Sequence, residues 1–540
     1  MKKIITIISL LIIGIVAVTW LYFSNLSSFE NSNERVFKIL PANASLVFEY
    51  KNEDSFYEIF KDFTLFKEVL GKNNLEYLGA LKQIFVDNGT FSSSFLKSDV
   101  FLSLHQTEKN KADILIIAPL SKDAKQKEAL FINSLKEKYK LIDTLSQGNE
   151  PIYQLPFNKS ANFYFSFDQD LLIGSFNKSL VIQSQTQSKK KEFNNNFLVD
   201  FKSTRNKNSI ANLYINFSKL PDLLNNFSGR KNPEETFPLK AFDASASLNI
   251  NYQTNAFMFS GITNVNLKAK NYYNLFLNQQ PGASTLKNIL PYDAASYSFY
   301  YVSDLKKFKQ GLNELFIQRK ESEKLQKQID NITARHSINI ENELMPVLGN
   351  EFGVIHFASG DKIGIIKTPN TNRMSFLLST ISSDVTEKIR RFDDSFVFYN
   401  YLGDPFKNFQ RPYYAIIENH VIVANNTTVL NRFLKNYNDQ NFLNRTEKNL
   451  DFQQYLSNQG NIFYFIHNSN AKSMIKSYLS GTANKSFKSD DFGWTGIYGF
   501  AIQFSADKDK FFTNFFMSKV PAKENLLPAV DNQLIDSLLN

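Results

Sequence analysis

The chain contains the sequence ILPANAS at residues 39–45, followed by the strand-like run LVFEY at 46–50. A related sequence, ILPYDAA, returns at 289–295 and is followed by SYSFYY at 296–301. The two copies lie 250 residues apart. Because solenoid repeats are much shorter than this, the period predicts two copies of a whole domain.

Further segments match in the same order along the chain. The matching strand-like pairs are DLLIGS at 170–175 with HVIVAN at 420–425, and NLYINF at 212–217 with NIFYFI at 461–466. Both copies then end in alternating apolar and polar residues around a turn, at 244–259 and at 498–517. This alternation predicts hairpins of antiparallel strands.

Helical patterns lie between the predicted strands. Apolar residues at three-to-four spacing predict amphipathic helices over 54–70 and 303–316, and a charged run over 319–330 predicts a solvated helical extension. Since the strands are not strictly alternated with helices, the pattern favours an α+β fold, a mainly antiparallel sheet with a helix layer, over a doubly wound sheet.

Several predicted strands are aromatic on both faces, namely 163–167, 396–399 and 462–466. Core packing under helices explains these strands most simply, because buried aromatic side chains supply much of a core. The alternative is an apolar groove that holds a lipid, a peptide or a partner strand.

The N-terminus predicts a membrane anchor. Residues 4–23 carry no charge and follow Lys2 and Lys3. A helix of twenty residues spans about 30 Å, which matches the hydrocarbon core of a bilayer, and the lysines should stay in the cytoplasm. A cleaved signal peptide is the alternative, although cleavage after Thr19 leaves the bulky residues 20–23 at the mature N-terminus.

The composition limits the chemistry and the partners. The chain has no cysteine, so it forms no disulfide and carries no lipid on a cysteine. Its 61 basic residues exceed its 52 acidic residues by nine, and the densest cluster, Lys189–Lys191, is interpreted as a solvated loop. The predicted compartment, the periplasmic side of the inner membrane, argues against nucleic acid as a partner.

The predicted organisation therefore combines an anchor with two α+β repeat domains. The segments are the anchor or signal peptide 1–24, a polar linker 25–35, the first repeat domain 36–277, a linker 278–286, the second repeat domain 287–521 and a tail 522–540.

The arrangement of an anchor followed by domains that open with Leu-Pro-x-Asn/Asp-Ala resembles a family of bacterial membrane-anchored envelope proteins grouped as a domain of unknown function. The resemblance rests on residues 40–44, on residues 290–294 and on the segment 344–354, which runs from a helix stop into a strand. It spans most of the chain after residue 36, and it implies no activity and no functional residue.

No catalytic, cofactor-binding or metal-binding residue is predicted. The sequence has no phosphate-binding loop, no G-x-S-x-G elbow and no H-E-x-x-H pair, and its glycines at 493, 496 and 499 do not open a helix. The acidic pairs Asp393–Asp394 and Asp490–Asp491 are interpreted as turn residues. The five histidines do not have the spacing of metal ligands; they are His105, His336, His356, His420 and His467.

These observations favour a non-enzymatic, membrane-anchored extracytoplasmic protein that binds or scaffolds another envelope component. The second hypothesis is a tethered carrier of a lipid or another hydrophobic ligand. The third is a hydrolase with a site at the domain junction, which no motif supports.

Overall fold

The computed structural model describes residues 33–520, except for 54–71, 88, 90, 96–97, 122, 145–149, 158–160, 190–204, 207, 230–237, 254–255 and 489–495. The predicted anchor at 4–23 and the predicted helix at 54–70 lie outside the described residues. Within the described part of the chain, no helix is long and apolar enough to cross a membrane. The described residues form two compact units, one within 33–226 and one within 227–520.

The first unit contains an antiparallel sheet of eight strands. They are β1 (Ala44–Lys51), β2 (Asp99–Gln106), β3 (Ala112–Pro119), β4 (Ile142–Thr144), β5 (Ile152–Pro156), β6 (Asn162–Asp168), β7 (Leu171–Ser175) and β8 (Ala211–Asn216). Pairing gives the spatial order β8-β1-β2-β3-β7-β6-β5-β4.

Helices cover both faces of this sheet. They are α1 (33–39), α2 (Lys72–Leu81), which continues as a π-helix over Lys82–Val86, α3 (Ala124–Tyr139), α4 (Lys178–Ser188) and α5 (Leu220–Asn226). Phe131 of α3 and Phe165 belong to the apolar core on one face, whereas Leu180 of α4 and Phe101 belong to the core on the other. Two buried faces explain why β6 is aromatic on both sides.

The second unit contains most of the remaining strands. They are β9 (Ala244–Gln253), β10 (Ala256–Val265), β12 (Ala294–Tyr301), β13 (Glu351–Phe357), β14 (Lys362–Lys367), β15 (Ser382–Asp384), β16 (Arg390–Phe392), β17 (Tyr413–Ile417), β18 (His420–Ala424), β20 (Ile462–His467), β21 (Ile497–Asp507) and β22 (Lys510–Lys519). A separate pair joins β11 (Gly282–Ala283) to β19 (Gln459–Gly460). All these pairings are antiparallel, and the main order is β9-β10-β22-β21-β20-β12-β13-β14-β18-β17-β16-β15.

The helices of the second unit follow the predicted pattern in part. They are α6 (Leu305–Gln318), α7 (Ser322–His336), α8 (Ile340–Leu344), α9 (Thr371–Thr380), α10 (Tyr399–Leu402), α11 (Thr427–Asn438), α12 (Glu447–Gln453), α13 (Asn468–Tyr478) and α14 (Gly481–Lys488). Asp304 caps α6 by accepting a hydrogen bond from the Lys307 amide at 2.9 Å. The charged extension forms α7, which buries Leu325 and Ile332 instead of being solvated all round.

One order of strands occurs in both units. The run β8-β1-β2-β3-β7-β6-β5-β4 of the first unit has the same connectivity as β20-β12-β13-β14-β18-β17-β16-β15 of the second. The two ILP segments lead into β1 and β12, which hold the same place in their respective orders.

Two hairpins pair with each other inside the second unit. Strand β10 lies beside β22, with Ile262 directly opposite Phe512, its counterpart at the repeat offset. The hydroxyls of Thr263 and Thr513, another pair of counterparts 250 residues apart, are 2.7 Å apart. The β9–β10 hairpin therefore belongs to the second compact unit, whereas the sequence pattern places the linker between the repeats at 278–286.

The predicted strand at 396–399 is wrong. Phe396 has a φ of +62°, and the residues after it form the short helix α10. The side chains of Val397, Phe398 and Tyr399 are nevertheless buried. The aromatic pattern therefore predicted their burial correctly but their secondary structure incorrectly.

Candidate functional site

Four of the five histidines lie in strands: His105 in β2, His356 in β13, His420 in β18 and His467 in β20. His336 ends α7 instead, where its Nε2 lies 2.9 Å from Asp394. No cluster of three potential metal ligands occurs among the described residues. The histidines are therefore dispersed over separate elements.

One histidine belongs to an arrangement that has the connectivity of a catalytic triad. The Nε2 of His105 lies 2.8 Å from Ser103 Oγ, and its Nδ1 lies 2.9 Å from Asn43 Oδ1. However, Ser103 and His105 are both 0% exposed, so no substrate carbonyl reaches the hydroxyl. Burial also lowers the pKa of His105 to about 4, which leaves the ring neutral. The arrangement is a buried hydrogen-bonded cluster that joins β2 to Asn43, the residue just before β1.

A larger buried cluster joins charged residues in the first unit. Glu49, which is 2% exposed, accepts hydrogen bonds from Arg205 Nε at 2.7 Å and from Tyr214 Oη at 2.5 Å. The same guanidinium donates to Asp99 at 2.5 Å, and Asn33 donates to Asp99 at 2.7 Å. One arginine thus compensates two carboxylates away from solvent.

The contribution of this cluster to stability depends on pH. Burial, followed by the charge of Glu49, raises the pKa of Asp99 from 3.8 to about 6. The folded protein therefore binds this proton more tightly than the unfolded chain does, and the resulting stability is fully present below about pH 4 and is lost as the pH rises to about 6.

We expect Asp99→Asn to remove this slope. Urea unfolding of the full-length protein in detergent between pH 4 and pH 7 measures the effect, because the difference in midpoint between wild type and variant then changes with pH. A difference that stays constant over this range contradicts the assignment.

The second unit has a carboxylate at the matching place. Glu351, the first residue of β13 as Asp99 is of β2, is 3% exposed and accepts from the Thr285 amide at 2.6 Å and the Leu286 amide at 3.3 Å. Lys367 Nζ lies 2.9 Å from it. Both carboxylates hold the segment just before an ILP motif, so their role is structural.

The other residues singled out from the sequence also have structural places. Asp393 accepts from Ser383 Oγ at 2.7 Å, and Asp394 binds Arg335 at 2.8 Å. Gly499 lies in β21, where an added Cβ would meet Ile466 O at 2.7 Å. The pair Asp490–Asp491, Gly493 and two of the lysines at 189–191 lie outside the described residues.

A cavity between the helices of the second unit is the strongest candidate for a functional site. It has a volume of about 350 Å³ and lies among α6, α7, α8 and α10. Its apolar lining comes from Phe316, Ile317, Leu325 and Ile329. Small-molecule sites have volumes of roughly 300–1,000 Å³, so this cavity is large enough for a small ligand or for part of a larger one.

One side of the cavity is polar. Lys309 Nζ donates to Asn313 Oδ1 and to the Asn400 carbonyl, each at 2.7 Å, and lies 4.9 Å from the centre of the Tyr401 ring. Asn400 Nδ2 and Tyr401 Oη are buried, and neither has a hydrogen-bond partner within the described structure. Both atoms are shielded from the cavity as well as from solvent, so neither is within reach of a ligand there.

Burial changes the ionisation of these side chains. It lowers the pKa of Lys309 to about 8, and the charge of Glu341 partly opposes this shift. Burial also raises the pKa of Tyr401, with a smaller contribution from Glu341. At neutral pH Lys309 thus stays mostly protonated and Tyr401 stays neutral.

Sequence reasoning missed this cavity. Lys309 lies on an amphipathic helix between Phe308 and Leu312, where a lysine is typical of the solvent-exposed face. Asn400 and Tyr401 directly follow the run misread as a strand. The available signal was a lysine and an asparagine four residues apart on the same helix, Lys309 and Asn313, beside an exposed Ile317.

Comparisons with known proteins add little to this geometry. No protein-family model matches the chain, and no curated protein matches it. Among solved structures, crystal form III of TP0453 matches with 10% identity and a TM-score of 0.24, over 46% of this chain and 88% of that one. A TM-score this low supports no conclusion about fold or function.

Proposed function

We propose that the protein is a non-enzymatic, membrane-anchored protein on the extracytoplasmic side of the inner membrane that binds another envelope component. The cavity of the second unit is the observation that carries the proposal, because it combines apolar walls with the ammonium of Lys309. The uncharged residues 4–23 after two lysines support the anchor and its orientation.

The proposal includes the origin of the chain as two homologous domains of the envelope family that its Leu-Pro-x-Asn/Asp-Ala openings resemble. The shared strand order of the two units supports this part. Protease treatment of spheroplasts tests the orientation: digestion of everything after residue 35 in intact spheroplasts is expected, and protection of that part contradicts the proposal.

A carrier of a lipid or another hydrophobic ligand is the second candidate. The apolar lining of Phe316, Ile317, Leu325 and Ile329 favours it. A scaffold and a carrier differ in what occupies the cavity, which is a segment of another protein for the scaffold and a small amphiphile for the carrier.

Photo-crosslinking in growing cells separates these cases. Benzoylphenylalanine in place of Ile317, which is 63% exposed at the cavity, is expected to trap the bound component. The same residue in place of Lys306, an exposed position of α6 outside the cavity lining, is the matched control. A protein adduct at Ile317 alone supports the scaffold, and a small-molecule adduct supports the carrier. Equal or absent adducts at the two positions contradict the binding function.

A further inference from the structure

We infer that the component bound at the cavity of the second unit is a segment of another protein that carries basic and apolar side chains. This inference rests on the proposed binding function and specifies the partner. It is carried by the sign of the unpaired charges in the cavity lining, by the contacts of its ammonium and by the exposure of its apolar wall.

The side chains that bring unpaired charge to the cavity are acidic. Glu323 lies in the first turn of α7 and Glu341 in the first turn of α8, and both are exposed in the cavity lining. Neither carboxylate forms an ion pair with a basic side chain in the described part of the chain. Two unpaired carboxylates beside an apolar surface are complementary to the ammonium or guanidinium groups of a partner.

The ammonium of Lys309, which also lines the cavity, has neutral partners instead of these carboxylates. Its Nζ donates to Asn313 Oδ1 and to the Asn400 carbonyl, each at 2.7 Å. An ammonium has three N–H groups, so the third is left for an acceptor. A protein segment brings backbone carbonyls that can accept this hydrogen bond, whereas a simple amine brings none.

The apolar wall of the cavity is open to solvent. Ile317 of α6 is 63% exposed and Ile329 of α7 is half-buried, whereas Phe316 and Leu325 are buried. Sites for small ligands usually enclose roughly 70–90% of the ligand surface. A wall as exposed as Ile317 is better suited to side chains of a segment that remains attached to a larger partner.

These features together specify the bound segment. Its apolar side chains pack against Ile317 and Ile329, its basic side chains approach Glu323 and Glu341, and a backbone carbonyl accepts from Lys309. An acidic segment would place its carboxylates near two others of the same sign, which repel it. A polar basic segment would leave the apolar wall in water.

Binding of defined peptides to the full-length protein tests the inference by calorimetry. The protein is placed in phosphatidylcholine nanodiscs, and empty nanodiscs give the blank. The probe is acetyl-Lys-Leu-Leu-Lys-Leu-amide. One control peptide has glutamate in place of both lysines, and the other has serine in place of all leucines. We expect the probe to bind at least tenfold more tightly than either control peptide.

A double variant assigns this preference to the cavity. Glu323→Gln combined with Glu341→Gln removes both charges and keeps the size of the side chains. We expect it to bind the probe about tenfold more weakly, as the loss of two ion pairs predicts, at an unchanged melting temperature. Glu314→Gln, at an exposed position of α6 outside the cavity lining, is the control and is expected to bind like wild type.

Crosslinking in growing cells applies the same variants to the natural partner. Benzoylphenylalanine in place of Ile317 is expected to give a protein adduct. We expect the yield of this adduct to fall at least fivefold when Glu323→Gln and Glu341→Gln are added, and to stay unchanged when Glu314→Gln is added.

The outcomes separate the inference from the proposed function. The basic segment is overturned if no peptide binds, if the probe and the acidic peptide bind equally, or if the double variant changes neither the preference nor the protein adduct. Each of these results leaves a binding protein with another partner. A small-molecule adduct at Ile317 also overturns the inference and favours the carrier. The absence of any adduct at Ile317 contradicts the binding function itself.

Discussion

Arg205→Met is expected to lower the free energy of unfolding of the first unit by about 3–5 kcal/mol, because removing one partner of a buried ionic cluster leaves uncompensated charge. The arginine side chain is 10% exposed, and those of Glu49 and Asp99 are 3% and 15% exposed. Without the guanidinium, two carboxylates face each other with only neutral donors around them. Urea unfolding of the full-length protein in detergent at pH 7 measures the loss.

A matched substitution tests whether burial causes the effect. Lys111 and Glu108 form an ion pair in the same unit, but their side chains are 64% and 68% exposed. Lys111→Met is therefore expected to leave the unfolding midpoint unchanged, since solvent screens such pairs. Equal losses in the two variants would show that the first unit does not depend on the buried charges.

A double variant tests the coupling directly. Glu49→Gln combined with Arg205→Met removes one of the two carboxylates that lose their partner. We expect it to be more stable than Arg205→Met alone by at least about 1 kcal/mol, because interacting charges are not additive. Additive losses in the double variant contradict the cluster.

Gly261→Val is expected to destabilise the second unit by about 3 kcal/mol, near the upper end of the usual cost of overpacking. Gly261 lies in β10 opposite Leu248 and Thr513. A Cβ at this position would stand 2.1 Å from Ser247 O and 3.0 Å from Leu248 Cα. Both obstacles are backbone atoms of the neighbouring strand β9, so the two strands must separate locally to accept the side chain.

Hydrogen exchange locates this damage, and the adjacent residue supplies a control. Faster amide exchange is expected in β9, β10 and β22 together with a lower melting temperature. Ser260→Ala changes the neighbouring residue, whose buried hydroxyl has no partner within the described structure. Its removal is expected to change stability by less than about 1 kcal/mol. Normal exchange in all three strands of Gly261→Val contradicts the close packing.

Local patterns in the sequence were sufficient to predict much of the fold. Period-two alternation predicted the terminal hairpins, and the three-to-four spacing over 303–316 predicted α6. The pattern failed at Phe396, because buried aromatic residues at consecutive positions suit a strand and a tight turn into a helix equally well. Only the backbone conformation, with a positive φ, distinguishes the two.

The spatial order of strands and the cavity were not predictable in the same way. The pairing of β10 with β22 joins residues about 250 positions apart, and no local signal records it. The cavity requires Lys309 and Tyr401 to meet from separate helices, and the lysine alone is indistinguishable from a surface residue. The burial of Arg205 was not predictable for the same reason, since its partners Glu49 and Asp99 lie far away in the sequence.

The β10–β22 contact has a kinetic consequence. A strand that sits opposite its own counterpart makes a self-complementary edge, which is the geometry of a twofold-symmetric dimer. When both edges belong to one polypeptide, their encounter is unimolecular and no longer depends on the protein concentration. The pairing of β10 with β22 therefore persists at any dilution. It also covers two strand edges that could otherwise pair with other chains and cause aggregation.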